Sequence, residues 1–170
     1  HLKKHGVAVG VTASTGIAAT HMNGVTIHSW SGLGIRDSIS EGELEALEEK
    51  QYLWKRFEHA KVLVIDEVSM LHHFRLDLVE RICRSFKRNE SPFGGLQVVL
   101  CGDFFQLPPV TRSGEPDSHF IYYSRAWKNM NLRVCYLHEQ HRQKDPAFLQ
   151  VLNDIRGKRV SSIRIPTVKP

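Results

Sequence analysis

The chain has 170 residues, of which 41% are hydrophobic and 24% charged, with a formal net charge of +5. That length buries one sizeable core, and the composition belongs to a globular domain, which excludes the disordered and fibrous classes. No apolar run approaches a membrane span, residues 1–6 lack a signal peptide's apolar region, and three isolated cysteines, an odd number, suit an intracellular protein.

Val7 to Val11 predict a strand, and Thr12-Ala13-Ser14-Thr15-Gly16 the loop after it, leading into a short helix through Ile17, Ala18, Ala19 and Met22. Such a hydroxyl-rich turn offers N–H groups and hydroxyls to phosphate oxygens at a sheet's ligand edge; the plain alternative is an ordinary connecting loop. Gly24-Val25-Thr26-Ile27-His28-Ser29-Trp30, followed by Gly32 and Gly34, reads as a glycine-flanked turn. There His28 and Trp30 are candidates to touch a sugar-phosphate backbone or stack on a base, although His28 alone also fits a structural role. Residues 40–58 predict one helix, with Ser40 and Glu43 as a capping box and Leu44, Leu47, Trp54 and Phe57 as a rough apolar stripe. Glu41, Glu43, Glu45, Glu48 and Glu49 form its solvated face and leave the rest of the chain more basic, a balance compatible with a polyanionic partner.

The centre of the pattern is Val62, Leu63, Val64 and Ile65, an unbroken aliphatic run suited to a parallel strand buried on both faces. It delivers Asp66 and Glu67 at the C-terminal edge, where open α/β sheets bind ligands. Adjacent carboxylates there suit nucleotide hydrolysis, the first holding a magnesium shell and the second polarising water; two solvated acids ending a strand are the alternative. Leu71, Phe74, Leu78, Ile82 and Phe86 recur at helical spacing, predicting a long amphipathic helix with Arg75, Arg81, Arg84, Lys87 and Arg88 facing solvent. Residues 91–95 are a turn and residues 96–101 a second buried strand. Pro108 and Pro109 exclude a regular helix after it, so Gln106 sits on a constrained loop beside Asp66 and Glu67. An amide there can sense a terminal phosphate or orient water, or merely bond its own loop. Cys83, Cys101 and Cys135 are isolated among apolar residues and read as reduced core thiols.

Residues 124–130 predict a short helix and residues 132–137 another strand. His138 and His141 follow at a spacing of three on a strand exit, which does not suit zinc. Arg142 is the stronger candidate, placed to neutralise charge on a transferring phosphoryl group. Asp145-Pro146 opens a helix with Phe148, Val151, Leu152 and Ile155 on its apolar face. Residues 1–157 are thus expected to form one domain, and residues 158–170 a basic, aperiodic tail that is frayed or truncated.

In this order the motifs closely resemble the Pif family (petite integration frequency) of superfamily-one DNA helicases, relatives of the RecD-type motors. V-T-A-S-T-G-I-A-A-T resembles motif Ia and G-V-T-I-H-S-W the DNA-contacting segment after it. V-I-D-E-V-S-M resembles motif II, G-G-L-Q-V-V-L-C-G-D-F-F-Q-L-P-P-V motif III and H-R-Q-K-D-P-A-F motif IV; the likeness runs from about Val7 to Gly157. The resemblance implies an α/β, parallel-sheet RecA-like P-loop NTPase domain, truncated at both ends. Asp66 would hold Mg2+, Glu67 act as catalytic base, Gln106 couple the γ-phosphate of ATP to DNA, and Arg142 serve as an arginine finger. Ser14, Thr15 and His28 would lie along the single-strand path.

The implied activity is ATP-driven 5′-to-3′ unwinding of single-stranded and forked DNA by a monomer, in DNA repair, recombination or telomere maintenance. The compartment would be the cytoplasm or nucleoid in a bacterium, the nucleus or mitochondrion in a eukaryote. These residues contain no G-x-x-x-x-G-K-[ST] sequence. The expectation is therefore most of a first motor domain, inactive by itself, the alternative being a non-catalytic DNA-binding or regulatory remnant. A nucleotide kinase fits less well, because the Gln-Leu-Pro-Pro loop and the motif IV arginine are both present.

Overall fold

The aliphatic run does form the central strand. In the computed structural model, which describes residues 2–111, 119–137 and 145–157, Val62–Asp66 is strand β3, with Leu63 and Ile65 wholly buried. Strands β1 (Val9–Ala13) and β4 (Gln97–Leu100) flank it in parallel, and β2 (Val25–Thr26) pairs with the outer side of β1, giving the order β2-β1-β3-β4. The buried Thr12 donates its hydroxyl to Val64 O at 2.7 Å, so its polar group is satisfied inside the sheet.

Two strand expectations are corrected. Residues 132–137 take no regular structure, and the fourth strand is instead β2, inside the segment read as a turn. Val25 and Thr26 are extended because they pair with Thr12 and Ala13, a tertiary cause that a two-residue strand cannot signal by alternation. The second strand is not buried on both faces. Val98 and Leu100 pack against the core, whereas Gln97 and Val99 alternate to the exposed side.

The helices follow local capping rules. Helix α1 (Gly16–His21) is capped by Thr15, whose Oγ1 accepts from Ala18 N. Helix α2 (Ile27–Ser31) is capped by Thr26 and ended by Gly32 at φ 80°, a left-handed position that favours glycine. The helix expected over residues 40–58 is two, α3 (Glu41–Glu48) with its Ser40–Glu43 capping box and α4 (Gln51–His59). The break lets Leu44 and Leu47 on one piece and Leu53 and Phe57 on the other all reach the core, while Trp54 Nε1 donates to Glu48 O across it.

Helix α5 (His73–Lys87) buries Leu76, Val79, Ile82, Cys83 and Phe86, a stripe rotated from the expected one, with Phe74 and Leu78 only half-buried. Three arginines assigned to solvent are corrected as well. Arg75 pairs with Asp37, Arg81 with Glu41 and the Ile39 carbonyl, and Arg84 with Glu80 and Glu90. The first two tie the segment between α2 and α3 down onto α5. At the centre Phe57 stacks on Phe86 (4.5 Å, 14°) and meets Trp30 edge-on (4.7 Å, 66°). Gly10 lets the indole lie on β1, since a Cβ there would come within 2.8 Å of Trp30.

Helix α6 (Arg125–Asn129) forms as expected and donates Ala126 N to Asp77 on α5 at 2.7 Å. Cys83 is a buried core thiol, its ionisation opposed first by burial; Cys101 and Cys135 are exposed, against expectation. Among the described residues no helix is long and apolar enough to cross a membrane. The chain divides into two compact units, residues 1–132 and 133–170, and the second contains helix α7 (Pro146–Arg156).

Candidate functional site

Ala13 pairs with Asp66 and Ile65 with Leu100, so β1, β3 and β4 end level and their exit loops share one edge. The loops are bonded together there. Ser14 N donates to Asp66 O at 3.0 Å, Ser14 Oγ to Glu67 O at 2.7 Å, and Val68 N to Cys101 O at 3.0 Å. Glu67 itself sits at φ 52°, ψ 43°, a left-handed conformation that costs a non-glycine residue roughly 1–2 kcal/mol. A short 3-10 turn, Val68–Met70, follows, and Met70 N also donates to Glu67 O at 3.1 Å. Gly102 permits the close approach of the β4 exit, because a Cβ there would meet Val68 Cγ2 at 2.9 Å and Val68 N at 3.0 Å.

Asp66 and Glu67 are half-buried. The Cys101 thiol, partly screened although its residue is exposed, is pushed above its ordinary range by that partial burial and then by the Asp66 carboxylate, which the Ile65–Leu100 pairing sets beside the end of β4. Two carboxylates in this setting offer the hard oxygen donors that suit magnesium, a cation that takes one or two carboxylates and keeps several waters. Among the described residues no group of three or more His, Cys, Asp or Glu side chains forms a closed metal cage.

Gln106 lies on the β4 exit loop, exposed, with its Nε2 donating to Asp103 Oδ2 at 3.1 Å and its N–H to Asp103 O at 3.0 Å. Asp103 Oδ1 also accepts from Phe105 N at 3.0 Å, so this carboxylate organises the loop. Sequence reasoning passed over Asp103, although an Asp bonding the N–H two residues on is a known turn signal.

His28 sits on α2, two residues after Thr26, which pairs with Ala13 on β1. Its Nε2 is buried without a hydrogen-bond partner among the described residues. Its pKa is lowered from 6.5 to about 4, by burial first, then by the Arg75 guanidinium and by interaction with His72, with Asp37 opposing. The imidazole is therefore neutral at pH 7. Arg75, missed because α5 periodicity assigned it to solvent, is the positive group beside it, held by Asp37 at 2.6 Å. Trp30 is only 4% exposed and cannot stack on a base, which corrects that expectation. Thr15 is half-buried at the α1 N-cap, and Arg142 lies outside the described residues. An open cleft of about 460 Å³ lined by Trp54, Glu58, Phe86, Lys87 and Arg88 lies at the C-terminal ends of α4 and α5, opposite the carboxylate edge.

The sequence profile described as PIF1-like helicase matches residues 1–162. The chain is similar to "ATP-dependent DNA helicase Pif1" of Psychrobacter sp. (strain PRwf-1), 48% identical over 166 residues, covering 93% of this chain and 25% of that protein. It is 36% identical over 150 residues to the Homo sapiens "ATP-dependent DNA helicase PIF1", covering 88% of this chain and 23% of that one. It thus spans a quarter or less of the length of these relatives.

Among solved structures, Pif1 helicase from Candida albicans superposes with a TM-score of 0.82 at 38% identity, over 91% of this chain and 35% of that one. Pif1 helicase from Bacteroides in complex with ADP-AlF3 and ssDNA superposes at 0.77 and 33%, over 94% and 39%. The parallel sheet and its flanking helices are accordingly part of a RecA-like α/β fold. With the carboxylate, amide and hydroxyl loops level on one sheet edge and likeness over nearly its whole length, the chain belongs to the PIF1-like helicase family.

Proposed function

We propose that these residues are part of the first motor domain of a longer ATP-dependent DNA helicase of the 5′-to-3′ class, acting on single-stranded and forked DNA. The observation that carries the reading is the level exit of three parallel strands, with Asp66, Glu67 and the Gln106 loop on one edge. Bound ATP with magnesium would supply the phosphoanhydride bond and a cation to neutralise its charge. Asp66 would hold the cation's water shell, and Glu67 would take the proton of the attacking water. Gln106 would exchange its bond to Asp103 for one to a phosphate oxygen, and Arg142 would neutralise charge that develops in transfer. Thr15 and His28 line the single-strand path, His28 as a neutral hydrogen-bonding group.

The name and description of relatives support this reading: the Psychrobacter protein is called an ATP-dependent DNA helicase, and Bacteroides Pif1 has been captured with ADP-AlF3 and ssDNA. We assign the parent to a monomeric intracellular enzyme of DNA repair, recombination or telomere maintenance. Without a G-x-x-x-x-G-K-[ST] sequence to cradle the phosphates, the 170 residues alone hydrolyse no ATP.

The test is made in the full-length protein. Glu67→Gln keeps ATP binding and lowers DNA-stimulated turnover by roughly two to four orders of magnitude, whereas Asp66→Ala weakens magnesium-dependent binding. Turnover like wild type in both variants would refute the carboxylate roles. A wild-type protein that binds DNA but has no DNA-stimulated ATPase would favour the regulatory remnant.

A further inference from the structure

We infer that Ser14 is a positioning residue for hydrolysis, coupling the loop proposed to meet the single strand to the peptide that aims the Glu67 carboxylate. The inference rests on Glu67 acting as the base.

The geometry centres on one peptide group, between Glu67 and Val68. Its carbonyl oxygen accepts from Ser14 Oγ at 2.7 Å and from Met70 N at 3.1 Å, and its N–H donates to Cys101 O at 3.0 Å. The plane is therefore held from the β1 exit on one side and the β4 exit on the other. Glu67 has left-handed dihedrals, and its ψ is the torsion that relates this plane to its own Cα–Cβ direction. Fixing the plane fixes where the carboxylate leaves the backbone. An L residue relaxes away from this conformation unless its surroundings over-determine it, so the clamp has a specific task.

Ser14 has two donors, and both face inward: N–H to Asp66 O and Oγ–H to Glu67 O. A hydroxyl carries one proton, so this one cannot also be donated to a phosphate oxygen. Ser14 therefore stands behind the strand path rather than on it. The next residue, Thr15, caps α1, so displacement of the α1 N-terminus acts through one residue on the Glu67 carbonyl. The Cys101 bond links the same peptide to the loop that carries Gln106.

The test compares Ser14→Ala, Ser14→Thr, Glu67→Gln and the Ser14→Ala/Glu67→Gln double variant in the full-length protein. Steady-state ATPase is measured with and without oligothymidine, and oligothymidine affinity by fluorescence anisotropy. Loss of one hydrogen bond from the clamp should lower DNA-stimulated kcat roughly three- to tenfold, with the KM for ATP and the oligothymidine affinity held within about twofold. Threonine, which keeps the hydroxyl, recovers most of that loss. In the Glu67→Gln background Ser14→Ala adds little, because a positioning residue has nothing left to position.

Losses that multiply in the double variant would overturn the inference in favour of a general structural bond. Lowered oligothymidine affinity with intact kcat would make Ser14 a DNA contact instead. Unchanged kinetics in Ser14→Ala beside an inactive Glu67→Gln overturns the inference alone, whereas full turnover in Glu67→Gln overturns the base assignment and the inference together.

Discussion

Lowering the pH should destabilise this protein through His28, and the size of the effect can be worked out. The folded-state pKa is about 4 against 6.5 for an ordinary histidine, because the ring is half-buried beside Arg75 and His72. The unfolded chain therefore takes up a proton near pH 6.5 that the folded chain refuses until about pH 4. A depressed pKa contributes stability that is complete above the unfolded value and is lost as pH falls toward the folded one. At pH 5 the full shift corresponds to a loss of about 2 kcal/mol relative to pH 8, and solvent access to the half-buried ring reduces this to about 1 kcal/mol. For a chain of this size that is a drop of roughly 2–4 °C in Tm.

The assay is urea unfolding followed by tryptophan fluorescence between pH 8 and pH 5, for wild type and His28→Gln. Every other residue is common to the two proteins, so the difference between the two curves isolates His28. Wild type should lose stability on acidification more steeply than the variant. Parallel curves would refute the account, as would a variant that loses more.

Three further outcomes are expected. In the full-length protein Arg142→Ala should lower kcat more than ATP affinity, since an arginine finger meets charge present mainly in the transition state; steady-state kinetics showing a raised KM with unchanged kcat would reassign it to ground-state binding. Single-strand affinity should be indifferent to base sequence and weaken only moderately with salt, each neutralised phosphate contributing roughly −0.7 to the log-log slope, and His28→Gln should leave that slope unchanged because the imidazole is already neutral. Phe57→Ala removes the ring joining Trp30 to Phe86 and should cost about 3–5 kcal/mol in denaturant unfolding; a loss under 1 kcal/mol would mean that this cluster does not hold the helices to the sheet.

Much of this molecule is written locally in its sequence. The aliphatic run ending in Asp66 and Glu67 forms the central strand because four consecutive apolar side chains need cover on both faces. Ser40 and Glu43 form their capping box because both partners lie within one turn, and Pro108 and Pro109 keep the Gln106 loop irregular by geometry alone. Such features involve residues near one another in the chain. The features that escaped involve residues far apart. Trp30 is drawn into the core by Phe57 and by the space above Gly10, and Val25 and Thr26 are extended only because β1 offers them hydrogen bonds. Arg75 leaves solvent because Asp37, 38 residues earlier, sits across from it, and after burial its charge is what keeps His28 neutral, against the pull of Asp37. The left-handed turn at Glu67 and the Ser14 bond that holds it exist only where three strands end level. Composition and periodicity report the preferences of each segment, whereas register, pairing and the cost of burying charge are properties of the segments together, and the tertiary structure decides them.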